Sequence, residues 1–458
     1  MAPASLAIVI GAQIAQTTRD STLARRVAAY LDEACSAEAM PMLAVAIVRK
    51  DGPTLQYACG ARLGPTGNSE HRFGIGSLSK AFTAMLVEQL VDRGRLSFDD
   101  SLAQQLPDAL RETPGARAIT VRQLLDQTSG IPKAAGFWFG DRRDAGALER
   151  RVLAARVSRL NATPGSAFEY SNLNYDLLGL IVQRAAHRPY AKVLQEEIIA
   201  PLNLLHTGVV DEPGAHLDVG WQRYWGMYVQ GSERVEASVV GPSGAIVSTT
   251  ADMALWAAAL LRRDTLLLPA RIFAALAGAR PGGYSSGWVH GSVDGIPARR
   301  HDGATPSFTS SIVLSDVEGI AIVALSASNA VLITQPATAF FVGEDLLRLA
   351  RNQSPQFGYR RASRVDHFSV LIALLLTLLT VALCVVLVRR GVRWWIFLIA
   401  AAVGLCAAAV GLRQMSGVPL LVPILYVPDL GLALAAALLA PFVAFAAALA
   451  RRRRSSGA

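Results

Sequence analysis

Three uncharged apolar runs near the C-terminus limit what this chain can fold into: Phe368–Val388, Trp394–Leu412 and Leu430–Ala450, of 21, 19 and 21 residues. A helix rising about 1.5 Å per residue crosses a bilayer core of about 30 Å in roughly 20 residues. Three such runs in succession are expected to form a membrane region over residues 356–458 rather than buried helices of a soluble fold. The last run contains Pro441, which a membrane helix tolerates where neighbouring helices or side chains satisfy the freed carbonyl. Between the second and third runs, Gly417–Pro428 is apolar but interrupted by Pro419, Pro423 and Pro428, and reads as a short interfacial excursion. From Phe368 onward there are eight arginines and one aspartate, so +7 of the formal net charge of +9 belongs to the last 91 residues. The remainder is close to neutral, which argues against a nucleic-acid surface on the large N-terminal part.

The arginines also orient the spans. Placing Arg389, Arg390, Arg393 and Arg451–Arg454 in the cytoplasm leaves Arg413, Arg360, Arg361 and Arg364 outside, seven against four. The N-terminal domain is then expected outside the cytoplasm. Residues 1–20 include the short apolar run Leu6–Ala15 with no Lys or Arg before it, a degenerate signal-like segment.

Residues 21–355 read as a mixed α and β domain. Leu23–Ala34 and Lys80–Arg93 have helical spacing, and Val342–Ala350 closes the domain as a helix. Leu43–Val48 and Leu55–Cys59 flank the turn Lys50-Asp51-Gly52-Pro53, and Ser311–Leu314 and Ile320–Leu325 flank Asp316–Gly319, so each pair is expected to be a hairpin. Strands at both ends with helices between them imply an α+β fold: one antiparallel sheet assembled from the termini and flanked by helices. Of the four cysteines, Cys384 and Cys406 lie in the apolar runs, leaving Cys35 and Cys59. A bridge between those two is open in an oxidising compartment, but two small buried thiols are the preferred reading. The seven histidines form no HExxH and no cluster with ligand spacing, so no metal or other cofactor is expected.

The chemistry concentrates in FGIGSLSKAF, Phe73–Phe82. With a helix starting near Ser77, Ser77 and Lys80 are one turn apart on the same face, while Ser79 points elsewhere. A serine in a first turn has its own N–H free of intrahelical partners, and that N–H can stabilise an oxyanion. Burial and neighbouring charge can bring the lysine amine, ordinarily near 10.4, down to where it accepts the serine proton. Alone, SxxK is better met by an N-cap serine followed by an ordinary surface lysine, because the pattern is short. Two further stretches change that balance. Tyr170-Ser171-Asn172 stands between a Pro-Gly turn and a helix, and His301-Asp302-Gly303 leads into the strand-like Ser311–Leu314, with Gly303 permitting close backbone approach.

SxxK, YxN and HxG in this order resemble the serine β-lactamase and penicillin-binding-protein-like family, nearest its class C β-lactamase and D-stereospecific peptidase or esterase branch. The resemblance runs from about Ser21 to Ala350 and includes ITVRQLLDQTSGIP (Ile119–Pro132), PYAKVLQEEIIAPLNLLHTGV (Pro189–Val209), GPSGAIVSTTADMALW (Gly241–Trp256) and GATPSFTSS (Gly303–Ser311). It implies Ser77 as a nucleophile forming an acyl-enzyme, with proton transfer shared by Lys80 and Tyr170. It further implies an oxyanion hole from the N–H groups of Ser77 and Ala304, and substrate contacts from Asn172, His301, Gly303 and Ser307. Gln127 departs from the histidine usual before Thr-Ser-Gly, with an expected consequence for packing.

A domain of this kind followed by three spans resembles the membrane-bound peptidases, colibactin-type among them, that remove an N-acyl-D-asparagine cap from a natural-product prodrug. That resemblance implies a multi-pass protein of a bacterial inner membrane with the hydrolase domain facing the periplasm or exterior. The partners implied are a lipid bilayer and a small-molecule or peptide substrate bearing an acyl group. At the positions aligned with the asparagine pocket this chain has Asn172, Val247 and the Ala304–Ser307 loop. The alternatives are a cell-wall D-peptidase, β-lactamase or esterase on the same fold, or a non-catalytic penicillin- or peptidoglycan-sensing receptor.

Overall fold

The first and last expected hairpins join in one sheet, because strand Leu43–Arg49 pairs antiparallel with Leu55–Cys59 on one side and Ile320–Ser326 on the other. In this computed structural model the described residues are 18–62, 70–136, 146–210, 215–224, 227–231, 241–269, 273, 283–329, 338–358 and 360. The run Leu6–Ala15 of the signal-like segment and the three apolar runs lie outside them, while residues 18–20 already belong to a helix. Among the described residues no helix is long and apolar enough to cross a membrane.

In chain order the strands are β1 (Leu43–Arg49), β2 (Leu55–Cys59), β3 (Phe73–Gly74), β4 (Gly208–Val209), β5 (Trp221–Tyr224), β6 (Met227–Gln230) and β7 (Ile246–Ser248). They continue as β8 (Tyr284–Ser285), β9 (Trp288–Val293), β10 (Ile296–Ala304), β11 (Thr309–Ser315), β12 (Ile320–Ser326) and β13 (Ser328–Asn329). The helices are α1 (Thr18–Ala37), α2 (Ser79–Asp92), α3 (Leu102–Gln105), α4 (Val121–Leu125), α5 (Ala147–Leu153), α6 (Asn172–Ala186), α7 (Tyr190–Leu194), α8 (Thr250–Arg262) and α9 (Thr338–Ala350). The main sheet has the order β2-β1-β12-β11-β10-β9-β8, antiparallel throughout.

Alternation along the strands divides the core into two layers. Val45 and Ile47 of β1 with Val313 and Ile322 face Val27, Leu31 and Ala34 of α1 and Val342 and Leu346 of α9. Ala44, Ala46, Val323 and Leu325 face the larger core, where α2, α6 and α8 contribute Phe82, Leu86, Leu177, Ile181 and Trp256. Phe82 and Trp256 stack with ring centroids 4.3 Å apart. Continuous burial of Leu43–Val48 in β1 follows from helices covering both faces, which is why LAVAIV is apolar without interruption.

The preference for two free thiols is corrected: Cys35 of α1 and Cys59 of β2 form a disulfide, with Cα atoms 6.1 Å apart. Helix α1 crosses the edge strand β2 at the separation a disulfide requires, a juxtaposition that spacing alone does not reveal.

Candidate active site

Two glycines bring the helix bearing the SxxK stretch against the sheet. Before α2 the chain makes one 3₁₀ turn, Gly76–Leu78, and Ser77 sits in it. Gly76 is left-handed at φ 52°, and a Cβ there would lie 2.6 Å from the Ala304 nitrogen at the end of β10. From the strand side, a Cβ on Gly303 would lie 2.1 Å from the Ile75 carbonyl oxygen and 3.0 Å from the Ser77 nitrogen. No larger residue fits at either position without parting the two segments. The seam thus brings the backbone of Ser77 beside Gly303 and Ala304, and the Ser310 hydroxyl closes it by donating to the Ile75 carbonyl at 2.7 Å.

One turn on, Lys80 is wholly buried. Its Nζ donates to Ser77 Oγ at 3.1 Å, to Asn172 Oδ1 at 2.8 Å and to the Ser243 carbonyl at 2.6 Å. Burial brings its proton affinity down to about 7, opposed by the negative charge of Asp176. Ser79 faces away from this cluster, its Oγ accepting from the Ile246 N–H at 3.1 Å. The cluster has an inner and an outer side, since Lys80 is sealed while Ser77, Tyr170, Asn172 and Ala304 keep partial exposure.

Tyr170 arrives from the loop before α6, with its hydroxyl close to that of Ser77. Its ring lies beneath Lys80 Nζ, 4.9 Å from the centroid. Burial raises the phenol above its ordinary value, and the Ser77 contact only partly offsets this, so Tyr170 stays protonated at neutral pH. Its ring meets Tyr284 edge-on at 5.9 Å and His301 at 6.4 Å. His301 lies within β10 itself, 3% exposed, rather than ahead of a strand. Its Nδ1 is 2.9 Å from the Asp302 carbonyl, so that nitrogen carries the hydrogen and Nε2 accepts from the Tyr284 hydroxyl at 3.2 Å. Burial, and then the nearby Lys80 charge, push His301 down to about 3, leaving the imidazole neutral.

Asn172 is the first residue of α6, and its entry is pinned by Gln127. Held at φ 58° and fully buried, Gln127 accepts from the Ser171 N–H at 3.0 Å and from Asn174 Nδ2 at 2.5 Å. The departure at this position therefore feeds the start of the helix that carries Asn172.

The fold thus gathers Ser77, Lys80, Tyr170, Asn172, His301, Gly303 and Ala304 in one place. Ser307 is buried, and a Cβ on Gly231 would come 1.9 Å from its Oγ. Val247, paired with Gly74, is buried in a small apolar cluster with Val210 and Ala215. The sequence reading missed Tyr284, Ser243 and Asp176. Ser243 contributes only a carbonyl to Lys80, so nothing in its side chain signals the contact. Asp176 follows Asn172 by one helical turn, a spacing that could have flagged it.

Known proteins resemble this chain over most of the described domain. The Beta-lactamase family model matches residues 23–332. The chain is 29% identical over 276 residues to Protein flp of Staphylococcus aureus (strain N315), covering 56% of this chain and 53% of that protein, about half its length. It is 28% identical over 324 residues to Penicillin-binding protein 4 of Amycolatopsis lactamdurans, covering 65% of this chain and 82% of that one. Among solved structures, D-amino acid amidase from Ochrobactrum anthropi SV3 matches with a TM-score of 0.62 at 22% identity, over 72% of this chain and 99% of the other. The octameric penicillin-binding protein homologue from Pyrococcus abyssi matches with a TM-score of 0.60 at 22% identity, over 73% and 78%. These two structural likenesses speak to the fold.

Proposed function

This chain belongs to the Beta-lactamase family of serine hydrolases, and we propose that Ser77 is its nucleophile, acting on an amide bond through an acyl-enzyme. The observation that carries this reading is the wholly buried Lys80 donating to Ser77 Oγ at 3.1 Å. An amine brought to about 7 is half neutral near physiological pH and can take the Ser77 proton as Oγ attacks the carbonyl. Tyr170, protonated and touching Ser77, gives its proton to the departing amine as the C–N bond breaks, and is recharged from Lys80. Charge building on the carbonyl oxygen is met by the N–H groups of Ser77 and Ala304, which the glycine seam holds side by side. Water then attacks the ester by the same route in reverse.

Asn172 has its Oδ1 committed to Lys80, so its amide nitrogen is the group offered to a substrate carbonyl. His301 is neutral, with both ring nitrogens engaged, and acts by holding Tyr284 and with it the wall behind Tyr170.

For the substrate we favour a D-amino-acid amide or peptide outside the cytoplasm, with removal of an N-acyl-D-amino-acid cap from a prodrug as the sharper form. The three apolar runs support membrane anchoring. The Cys35–Cys59 disulfide supports an oxidising compartment for the domain. The resemblance to D-amino acid amidase in fold supports amide chemistry, and no more than that. Membranes containing the full chain, incubated with an N-acyl-D-asparagine amide and its L-enantiomer, test the proposal. Preferential D cleavage that is lost in Ser77→Ala is expected. Equal cleavage of both enantiomers removes the D-specific form, and a stable acyl-enzyme without turnover supports the penicillin- or peptidoglycan-sensing receptor instead.

A further inference from the structure

Behind Lys80 lies a buried ion pair that neither nucleophilic attack nor oxyanion stabilisation uses. Asp176 of α6 is 1% exposed, and its Oδ2 lies 3.2 Å from Nε of Arg151 of α5, whose side chain is itself 4% exposed. Arg151 is further held by donating to the Ala135 carbonyl at 2.6 Å. Asp176 is four residues beyond Asn172 and so on the same helical face, directed at the side of α2 that carries Lys80. Ser243 joins the two groups: its carbonyl accepts from Lys80 at 2.6 Å, and its hydroxyl faces the Asp176 carboxyl, which burial raises above its ordinary value while Arg151, that hydroxyl and Lys80 hold it toward the charged form. Among the described residues, Asp176 Oδ1 has no hydrogen-bond partner within 3.5 Å.

Stability is a poor reason for such a pair. Taking two charges out of water costs several kcal/mol per ion, and replacing a buried pair by neutral groups of similar volume is often neutral or stabilising. An acid kept there with one oxygen unsatisfied needs another reason, and its position supplies one. We propose that Asp176 is a positioning residue for the reaction, an anion anchored behind Lys80 by Arg151 whose charge sets how readily Lys80 gives up its proton. This rests on Lys80 being the base for Ser77.

The other groups facing Lys80 leave that task to Asp176. From the loop before α6 and from α6 itself come the neutral phenols Tyr170 and Tyr175, with rings 4.9 and 5.8 Å from Nζ. β8 brings Tyr284, protonated, and β10 brings His301, neutral. Glu88, two turns along α2, is taken by the Ser286 hydroxyl, and Asp126, after α4, by the Ser285 hydroxyl. Arg151 reaches Lys80 only through Asp176. Without the Asp176 charge, burial alone acts on the ammonium, and Lys80 loses its proton at lower pH.

The test is the pH profile of kcat/KM for an uncharged amide substrate, measured on the full chain, with the rate of Ser77 labelling by a neutral fluorophosphonate as a parallel readout. Asp176→Asn is expected to move the acid limb down by about one pH unit or more, the size of shift an opposite charge at this range produces. Because that variant leaves Arg151 as an unpaired buried cation and risks unfolding, the double variant Asp176→Asn with Arg151→Met removes both charges and is expected to show the same downward shift. Asp176→Glu is expected to return the limb toward the wild-type position even where the plateau rate stays low. An active, folded double variant with its acid limb unmoved overturns the inference while leaving the serine mechanism standing. Absence of any Ser77-dependent turnover or labelling at any pH overturns both.

Discussion

Replacing Gly303 by alanine tests whether the seam between β10 and the 3₁₀ turn sets the rate. The new Cβ would lie 2.1 Å from the Ile75 carbonyl oxygen and 2.4 Å from Ser310 Oγ, against a practical limit of 3.0 Å. Ser310 can swing aside at the cost of its bond to Ile75, but a backbone carbonyl cannot, so the two segments must part by about 1 Å. Overpacking of this kind costs about 1–3 kcal/mol of stability. The effect on rate should be larger, because the same parting carries the Ser77 N–H away from the Ala304 N–H. Removing one oxyanion donor typically costs about 100- to 1,000-fold in kcat, and a 1 Å misplacement about 100-fold. Gly303→Ala should therefore lose at least about 100-fold in kcat while remaining folded by circular dichroism, with KM little changed. Gly291 in the neighbouring strand is the control, since a Cβ there meets nothing within 4 Å. Gly291→Ala should stay within about twofold of wild type. A Gly303→Ala enzyme with wild-type kcat would show that the close approach is a packing feature with no part in catalysis.

For the wild-type enzyme, kcat/KM should fall about tenfold per pH unit below about 7, because Lys80, at about 7, must be neutral to accept the Ser77 proton, and should level off above it. A profile flat from pH 5 to 9 would remove Lys80 as the base. Tyr170→Phe should lower kcat by about 100- to 10,000-fold in steady-state assays with a poor amine leaving group, with a smaller loss for an activated ester whose leaving group needs no proton. Equal losses on both substrates would argue against Tyr170 as the acid. The disulfide closes a loop of sequence separation 24, for which chain entropy gives about 3.5 kcal/mol, so Cys35→Ser with Cys59→Ser should unfold at clearly lower denaturant than wild type. Gln127→Ala should cost about 1–3 kcal/mol in denaturant unfolding by leaving the Ser171 N–H and the Asn174 amide without their acceptor.

What the sequence revealed of the fold was its repeating part. Leu43–Val48 and Ile320–Leu325 are apolar and bounded by turn residues, and they pair as β1 and β12 in the register Val45 opposite Ala324. Ser77 and Lys80 were legible because a three-residue spacing across a helix start puts them on one face, and because the Tyr170 and His301 stretches follow in order. Convergence of Tyr170 and His301 on them depended on three segments read together, and the fold brings them there. Contacts made by backbone, such as Ser243 to Lys80, leave no side-chain signature. The disulfide was misjudged because it depends on where α1 crosses β2, which no local pattern encodes.

The most direct test is the mass of the full-length chain after brief mixing with a slowly hydrolysed acylating amide or lactam. The mechanism predicts one added acyl group, mapped by peptide sequencing to Ser77, appearing more slowly below pH 7 and absent from Ser77→Ala. An adduct on any other residue, or one that persists in Ser77→Ala, would contradict it.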